Sequence, residues 1–175
     1  GCDCQVSAVL IGHKVDHLSK DLISRGADKV YIIDDPQLEK YTTTAYTKAM
    51  VSIIVKVKPE VVLYGATHVG RDLAPRIARR LGTGLTADCT ELTVEKEKKL
   101  LQQTRPAFGG NVMATIWCQN HRPQMSTVRP GIMKEMDADP ARKGTVENFK
   151  VDLKPEDMKT KVLEVVREVK KVANL

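Results

Sequence analysis

A chain of 175 residues and 19.4 kDa has room for one α/β domain with an appendage, and no room for two such domains. With 42% hydrophobic and 29% charged residues it can bury a core, which excludes a disordered chain, and its apolar runs fall far short of a membrane span. A net charge of +6, spread over both halves, meets only 4% aromatic residues. The stacking platforms of a single-strand nucleic-acid binder are therefore scarce, and an anionic small ligand or an acidic protein partner suits the excess better.

In chain order, Cys4 to Ile11 is a short apolar run ending at Gly12 and reads as a buried strand. Asp16 to Ser24 has helical spacing through Leu18, Leu22 and Ile23 and stops at Gly26. Lys29 to Ile33 is a second strand, and a longer helix runs from about Leu38 to Lys56 before Lys58-Pro59. Val61 to Tyr64 is a third strand and Arg71 to Leu81 a third helix, closed by Gly82-Thr83-Gly84. Strand and helix alternating at this spacing predict βαβ units and a parallel sheet. The strands are continuous apolar runs, as expected when helices cover both faces.

The second half differs. Asp88 to Val94, Leu100 to Thr104, Asn111 to Cys118 and Met125 to Arg129 are strand-like and closely spaced, so antiparallel pairing is expected. One more strand is predicted within Val146 to Leu153. Pro155 then opens a helix to about Val172, with Met158, Val162, Val165, Val166 and Val169 as its stripe. The fold expected is thus α/β: a Rossmann-like parallel sheet with helices on both faces, antiparallel strands in the second half and a C-terminal helix. The domain spans 1–153, and 154–175 forms the helix.

Three places carry possible chemistry. Gly65 and Gly70 flank a loop between a strand and a helix, where backbone N–H groups can meet an anion. The spacing imitates a phosphate-binding loop, but Arg71 stands for its lysine and Asp72 for its metal-binding hydroxyl, so a nucleotide triphosphatase is excluded. What remains is a nucleotide or interface loop, or a turn that needs glycine, with Arg71 free to pair with a carboxylate. Arg105 precedes a Gly109-Gly110-Asn111 turn, and Arg129 repeats the Arg-Pro pairing. Both arginines are expected at one rim of the sheet, facing an anionic ligand or acidic partner. His13 and His17 lie four apart without the glutamate of a zinc-protease motif and read as solvated. The four cysteines, Cys2, Cys4, Cys89 and Cys118, form no paired metal knuckle and read as reduced thiols. No nucleophile, acid or base constellation emerges.

Taken together, Gly65 to Arg71 (GATHVGR), Asp72 to Leu81 (DLAPRIARRL), Gly82 to Leu92 (GTGLTADCTEL), Thr104 to Ile116 (TRPAFGGNVMATI) and Arg122 to Met133 (RPQMSTVRPGIM) resemble the N-terminal domain of electron transfer flavoprotein alpha subunits. The resemblance covers nearly the whole chain, and Met133 to Gly144 looks like versions from anaerobic bacteria. It implies a fragment that lacks the family's first strand and helix and its C-terminal FAD domain, leaving a hydrophobic sheet edge exposed. It also implies an electron carrier rather than a self-contained catalyst. Such a domain packs on a beta subunit, takes electrons from flavin dehydrogenases such as those of fatty acid oxidation, and in some relatives takes part in electron bifurcation. The main FAD belongs to the absent domain, and a second FAD or an AMP belongs to the beta subunit. By motif position, Thr83, Thr86, Arg105, Gly109, Gly110 and Asn111 face the flavin or nucleotide held by that subunit. Gly65, Gly70, Arg71 and Arg129 form the nucleotide or interface loop. Neither nucleic acid nor membrane insertion is implied. The location implied is the bacterial cytoplasm, or the mitochondrial matrix in a eukaryote. Two readings stay open beside it: a stand-alone adenine-nucleotide-binding α/β module, and an assembly domain with no ligand.

Overall fold

In a computed structural model, residues 4–107, 109 and 112–166 are described. Strand β1 (Ser7–Gly12) lies parallel to β2 (Lys29–Asp34), with Ser7 opposite Lys29 and Gly12 opposite Asp34. Between them run a 3-10 turn (Asp16–Leu18) and the short helix α1 (Ser19–Ser24). The four residues Val30 to Ile33 of β2 are all buried, as a strand covered on both faces requires. Val30 and Ile32 pack with Ile23 and Ala27 around α1. Tyr31 and Ile33 face the opposite way, into the main core with Leu38, Ile53, Ile77 and Met125.

That core is roofed by α2 (Thr43–Val57) and α3 (His68–Leu81), which follow β2 and β3 (Val61–Gly65) respectively. Lys58 in a left-handed conformation caps α2 before Pro59, its N–H donating to the Ile54 carbonyl. Helix α3 starts at Thr67, whose hydroxyl accepts from the Gly70 N–H at 3.1 Å. Asp72 in its second turn accepts from the Tyr41 hydroxyl at 2.6 Å and from the Thr43 hydroxyl, tying α3 to the start of α2.

The chain then makes β4 (Leu85–Cys89), β5 (Glu91–Glu95), β6 (Leu100–Pro106), β7 (Met113–Trp117), β8 (Gln124–Val128) and β9 (Thr145–Asn148). Three three-stranded sheets result: β1-β2-β9 and β3-β8-β4, both parallel, and the antiparallel β5-β6-β7.

Several expectations are corrected. The first three strands do not form one sheet, because β3 pairs with β8, not with β1 or β2. Strand β8, expected to be antiparallel, runs parallel between β3 and β4, and Gln124 to Thr127 are all buried there. Its polar residues hid a central strand behind an alternating pattern. The predicted run Asp88 to Val94 is two strands, since β4 ends at Cys89 and β5 begins at Glu91. The last strand is four residues long and pairs parallel with β2. The C-terminal helix is absent from the described residues. Pro155–Asp157 forms a 3-10 turn, and 158–166 has no regular secondary structure. The reason lies in packing: Met158 meets the main core, but Val165 is 60% and Val166 77% exposed, so the far end of the stripe finds no surface, and packing supplies most of a helix's stability. Val169 and Val172 lie outside the described residues.

A buried side chain helps tie the antiparallel sheet to the parallel one. Gln124 of β8 accepts from the Leu101 N–H at 2.8 Å and donates to the Lys99 carbonyl at 3.3 Å. Gln124→Leu keeps the volume but leaves a buried N–H and a carbonyl without partners, at about 2–3 kcal/mol. For a chain of this size the thermal midpoint should drop by roughly 5–10 °C. Circular dichroism melting checks this, and an unchanged midpoint would show that the two sheets are held together elsewhere.

Candidate functional site

The carboxyl ends of β3, β4 and β8 lie together, and each delivers part of one site. Strand β3 ends in Gly65, whose carbonyl oxygen packs so closely on α3 that a Cβ built at Gly70 would lie 1.9 Å from it. Gly70 is therefore required by contact. Its N–H is already committed to Thr67, and the Arg71 N–H donates to the Thr67 carbonyl. The glycine pair thus seats a helix on a strand end, and the reading as a turn that needs glycine prevails at Gly70.

Strand β4 carries a bulge between Thr86 and Cys89, and within it Asp88 has a φ of +61°. Aspartate tolerates this conformation better than most residues. The Asp88 N–H donates to the buried Thr127 hydroxyl at 2.8 Å, which fixes the bulge. Bulges re-aim side chains, and this one turns the Asp88 carboxylate to the rim. Arg129, just past β8, grips it side-on: Nε donates to Oδ1 at 3.2 Å and Nη2 to Oδ2 at 2.7 Å. Arg71 adds Nη2 to Oδ1 at 3.3 Å while its Nε holds the Ala66 carbonyl at 2.9 Å. Arg105, at the end of β6, adds its positive charge to the same carboxylate through space.

The rim therefore sets three guanidinium groups around one carboxylate. Asp88 is only 25% exposed, whereas Arg71 is 59% and Arg129 43% exposed, so the anion is tucked in and the cations face solvent. The bidentate Arg129 contact, ahead of the fields of Arg71 and Arg105, holds the Asp88 carboxyl below the usual carboxylate range. Arg129 in turn is held more firmly protonated by Asp88. Cys89, fully buried beside them, has its thiol pushed up by burial, and its Sγ donates to the Thr86 carbonyl. Nothing here is an activated nucleophile. The arrangement gathers positive charge around one carboxylate.

Arg105 and Arg129 are expected at one rim; the structure also sets Arg71, from the Gly65–Gly70 loop, beside them around Asp88. It does not bring Thr83 or Thr86 there. Thr83 sits before the amino end of β4, its hydroxyl donating to the Pro123 carbonyl at 2.8 Å. Thr86 is buried against β6 and lines a separate cavity. Gly109 has a φ of +86° in the turn after β6, consistent with a residue chosen for that conformation. Gly110 and Asn111 lie outside the described residues. Sequence reasoning missed Asp88. Its partner Arg129 is 41 positions away, and only the bulge in β4 turns an ordinary strand aspartate towards it. Of the two histidines expected to be solvated, His17 is exposed, with Nδ1 3.0 Å from the Lys14 carbonyl, whereas His13 is partly buried, with Nδ1 out of solvent and 3.4 Å from Asp34. Among the described residues no cluster of three or more His, Cys, Asp or Glu is arranged to hold a metal, and no helix is long and apolar enough to cross a membrane.

Asp34, Asp72 and Asp88 share one electrostatic property. Each carboxyl is held below its ordinary value: by the Lys14 N–H at Asp34, by the Thr43 and then the Tyr41 hydroxyl at Asp72, and by Arg129 at Asp88. Lowered folded-state values mean stability that is fully present above the unfolded value of about 3.9 and is lost as pH falls through the folded ones. The thermal midpoint should therefore be level from pH 7 to about 5 and fall below about 4. The triple variant Asp34→Asn, Asp72→Asn, Asp88→Asn should flatten that fall. An equally steep fall in the variant would place the acid-sensitive groups elsewhere.

Parallel strands joined by helices, with a basic rim at the carboxyl ends of β3, β4 and β8, define an α/β domain, the class of fold in which ligands lie outside the carboxyl ends of the strands. Comparison with known proteins is more specific. Residues 2–154 match the family model described as the electron transfer flavoprotein domain. The chain is 60% identical over 170 residues to the electron transfer flavoprotein subunit alpha of Thermoanaerobacterium thermosaccharolyticum, covering 97% of this chain and 51% of the relative. It is 52% identical over 163 residues to the subunit of the same name in Megasphaera elsdenii, covering 93% and 48%. It is also 46% identical over 191 residues to the acryloyl-CoA reductase electron transfer subunit beta of Anaerotignum propionicum, covering 95% and 52%. The chain belongs to the electron transfer flavoprotein domain family and spans about half the length of these relatives.

Proposed function

We propose that the chain is the N-terminal α/β domain of an electron transfer flavoprotein alpha subunit, working as a rigid, positively charged wall beside a flavin or nucleotide held by the beta subunit. The observation that carries this reading is the convergence of Arg71, Arg105 and Arg129 on the carboxylate of Asp88 at the carboxyl ends of β3, β4 and β8. Among these four residues three positive charges face one negative charge. Such a donor set fits the phosphates of a dinucleotide, or the negative charge a flavin gains on reduction.

The fit is to an edge of such a group and not to the whole of it. When bound, the flavin supplies the redox chemistry. The chain's own residues orient it, exclude water from one side and offset its charge, which requires no acid, base or nucleophile. The reading gives Arg71 and Arg129 a direct role, and Thr83 and Thr86 none at the rim. It takes a beta subunit and flavin dehydrogenases as partners, FAD as the cofactor of the complex, and the cytoplasm of an anaerobic bacterium as its place. The name of the Anaerotignum relative supports an acyl-CoA reductase as one such redox partner. The adenine-nucleotide module loses its main motive, because Gly70 is explained by contact with Gly65.

Co-expression with an electron transfer flavoprotein beta subunit, followed by size exclusion read for protein and for flavin absorbance, tests the proposal. A co-eluting yellow complex is expected. Co-elution without colour would favour the assembly domain, and separate elution of two folded chains would overturn the reading.

A further inference from the structure

Residues 39–82, which run through α2, β3 and α3, hold eight lysines and arginines against three aspartates and glutamates, a net +5 in a chain whose total is +6. Helix α3 sorts part of this charge to one side. Gly70, Leu73, Ala74, Ile77 and Ala78 are buried, and Arg76, Arg79 and Arg80 stand exposed on the opposite face. Elsewhere in the fold arginines come with carboxylates: Arg25, Arg71, Arg122, Arg129 and Arg142 each form an ion pair. Among the described residues Arg76, Arg79 and Arg80 form none. Asp72, the acidic residue of the same helix, takes the Tyr41 and Thr43 hydroxyls, and Arg76 acts on it only through space.

The helix itself does not call for all three. Cations in the last turn offset the helix dipole, which accounts for Arg79 and Arg80. Arg76 and Arg80, however, are i, i+4 neighbours of like charge, an arrangement that weakens a helix. It turns favourable when anions arrive from outside. We propose that this face of α3 docks an acidic segment of another protein, whose aspartate or glutamate carboxylates are held by Arg76, Arg79 and Arg80. A planar guanidinium meets a carboxylate with two parallel N–H donors, which a lysine cannot do. From Arg71 to Arg80 the exposed positions are Arg71, Asp72, Pro75, Arg76, Arg79 and Arg80. None offers a ring for stacking a base or a large apolar side chain for entering lipid, which sets a protein ahead of a nucleic acid or a membrane. The face is separate from the rim, because Arg80 lies about 13 Å along the helix axis from Arg71 at about 1.5 Å per residue. The proposal does not rest on the flavoprotein reading.

Fluorophore-labelled dodecaglutamate is the probe, read by fluorescence anisotropy at low salt, where surface charges act over about 30 Å at about 0.01 M. It should bind saturably. The triple variant Arg76→Gln, Arg79→Gln, Arg80→Gln should bind it at least about tenfold more weakly. A second triple variant, Lys20→Gln, Lys96→Gln, Lys143→Gln, removes the same charge from exposed positions elsewhere and should weaken binding by less than about threefold. Folding is guarded, because the three arginines are exposed and glutamine is a good helix former. The arginine variant should therefore keep its thermal midpoint or raise it slightly, as the like-charge pair is relieved. Equal weakening by the two variants would overturn the proposal, since net charge alone would then explain the binding. A clearly lowered midpoint in the arginine variant would overturn it as well, by making the arginines structural. So would oligothymidylate of equal charge, or phosphatidylserine vesicles, binding more tightly than dodecaglutamate and being lost in the same variant.

Discussion

Gly70→Ala should be the most damaging glycine-to-alanine change among the described glycines. In an ordinary helix interior, alanine in place of glycine adds about 0.5–1 kcal/mol of stability. Here the sign reverses. The new Cβ would lie 1.9 Å from the Gly65 carbonyl oxygen and 3.1 Å from its carbon, and both are backbone atoms that no rotamer change can move aside. Either α3 lifts off β3 or the strand end shifts. Overpacking of this kind costs about 1–3 kcal/mol and occasionally more, and a backbone contact puts Gly70 at the upper end. A midpoint lower by roughly 6–12 °C follows for a domain of this length. Gly82→Ala is the comparison. Gly82 caps α3 at a φ of +68° with nothing within 4 Å of its missing Cβ, so only the left-handed penalty of about 1 kcal/mol applies. Urea unfolding of the two variants should rank Gly70→Ala well below Gly82→Ala. The reverse order would mean that the α3–β3 contact gives way easily.

This close approach also shows what could and could not be read from the chain. The glycine pair in Gly65-Ala-Thr-His-Val-Gly70 was legible as a strand-to-helix junction, but whether it cradled a phosphate or a helix was not. Spacing alone does not tell which backbone atom a glycine lets in. The βαβ half of the fold was legible because β2 is a continuous apolar run bounded by turn residues, and such runs report burial on both faces. Strand β8 was legible as a strand but not as a central one. Gln124, Ser126 and Thr127 are polar, and their burial depends on partners supplied by β6, β4 and β3. The helix expected after Pro155 failed for the opposite reason. Its 3.6-residue stripe is present, but no surface of the described fold covers Val165 or Val166. At the site, the arginines announced themselves by sitting beside Pro and Gly. Asp88, the residue that gathers them, depends on a bulge that no local pattern betrays.

Removing one charge at a time from the rim should move the potential of a flavin in the complex in opposite directions. If the rim faces the flavin, positive charge favours the negative charge that reduction adds. Arg129→Gln should then lower the midpoint potential, making reduction harder. Asp88→Asn should raise it, because the amide no longer offsets Arg71, Arg105 and Arg129, while asparagine still tolerates the φ of +61°. An exposed charge is worth up to about 1 kcal/mol to its neighbour. For a two-electron couple that corresponds to about 20 mV in each direction. Both shifts should shrink at high salt, since charges at an exposed rim are screened over about 10 Å at 0.1 M. Spectroelectrochemical titration of the complex reads all of this directly. The opposite signs separate charge from damage, because a general loosening of the rim would displace both variants the same way. Two shifts of the same sign, or none in either variant, would remove the flavin from the arginine rim and leave Arg71, Asp88 and Arg129 as a structural clamp between β4 and β8.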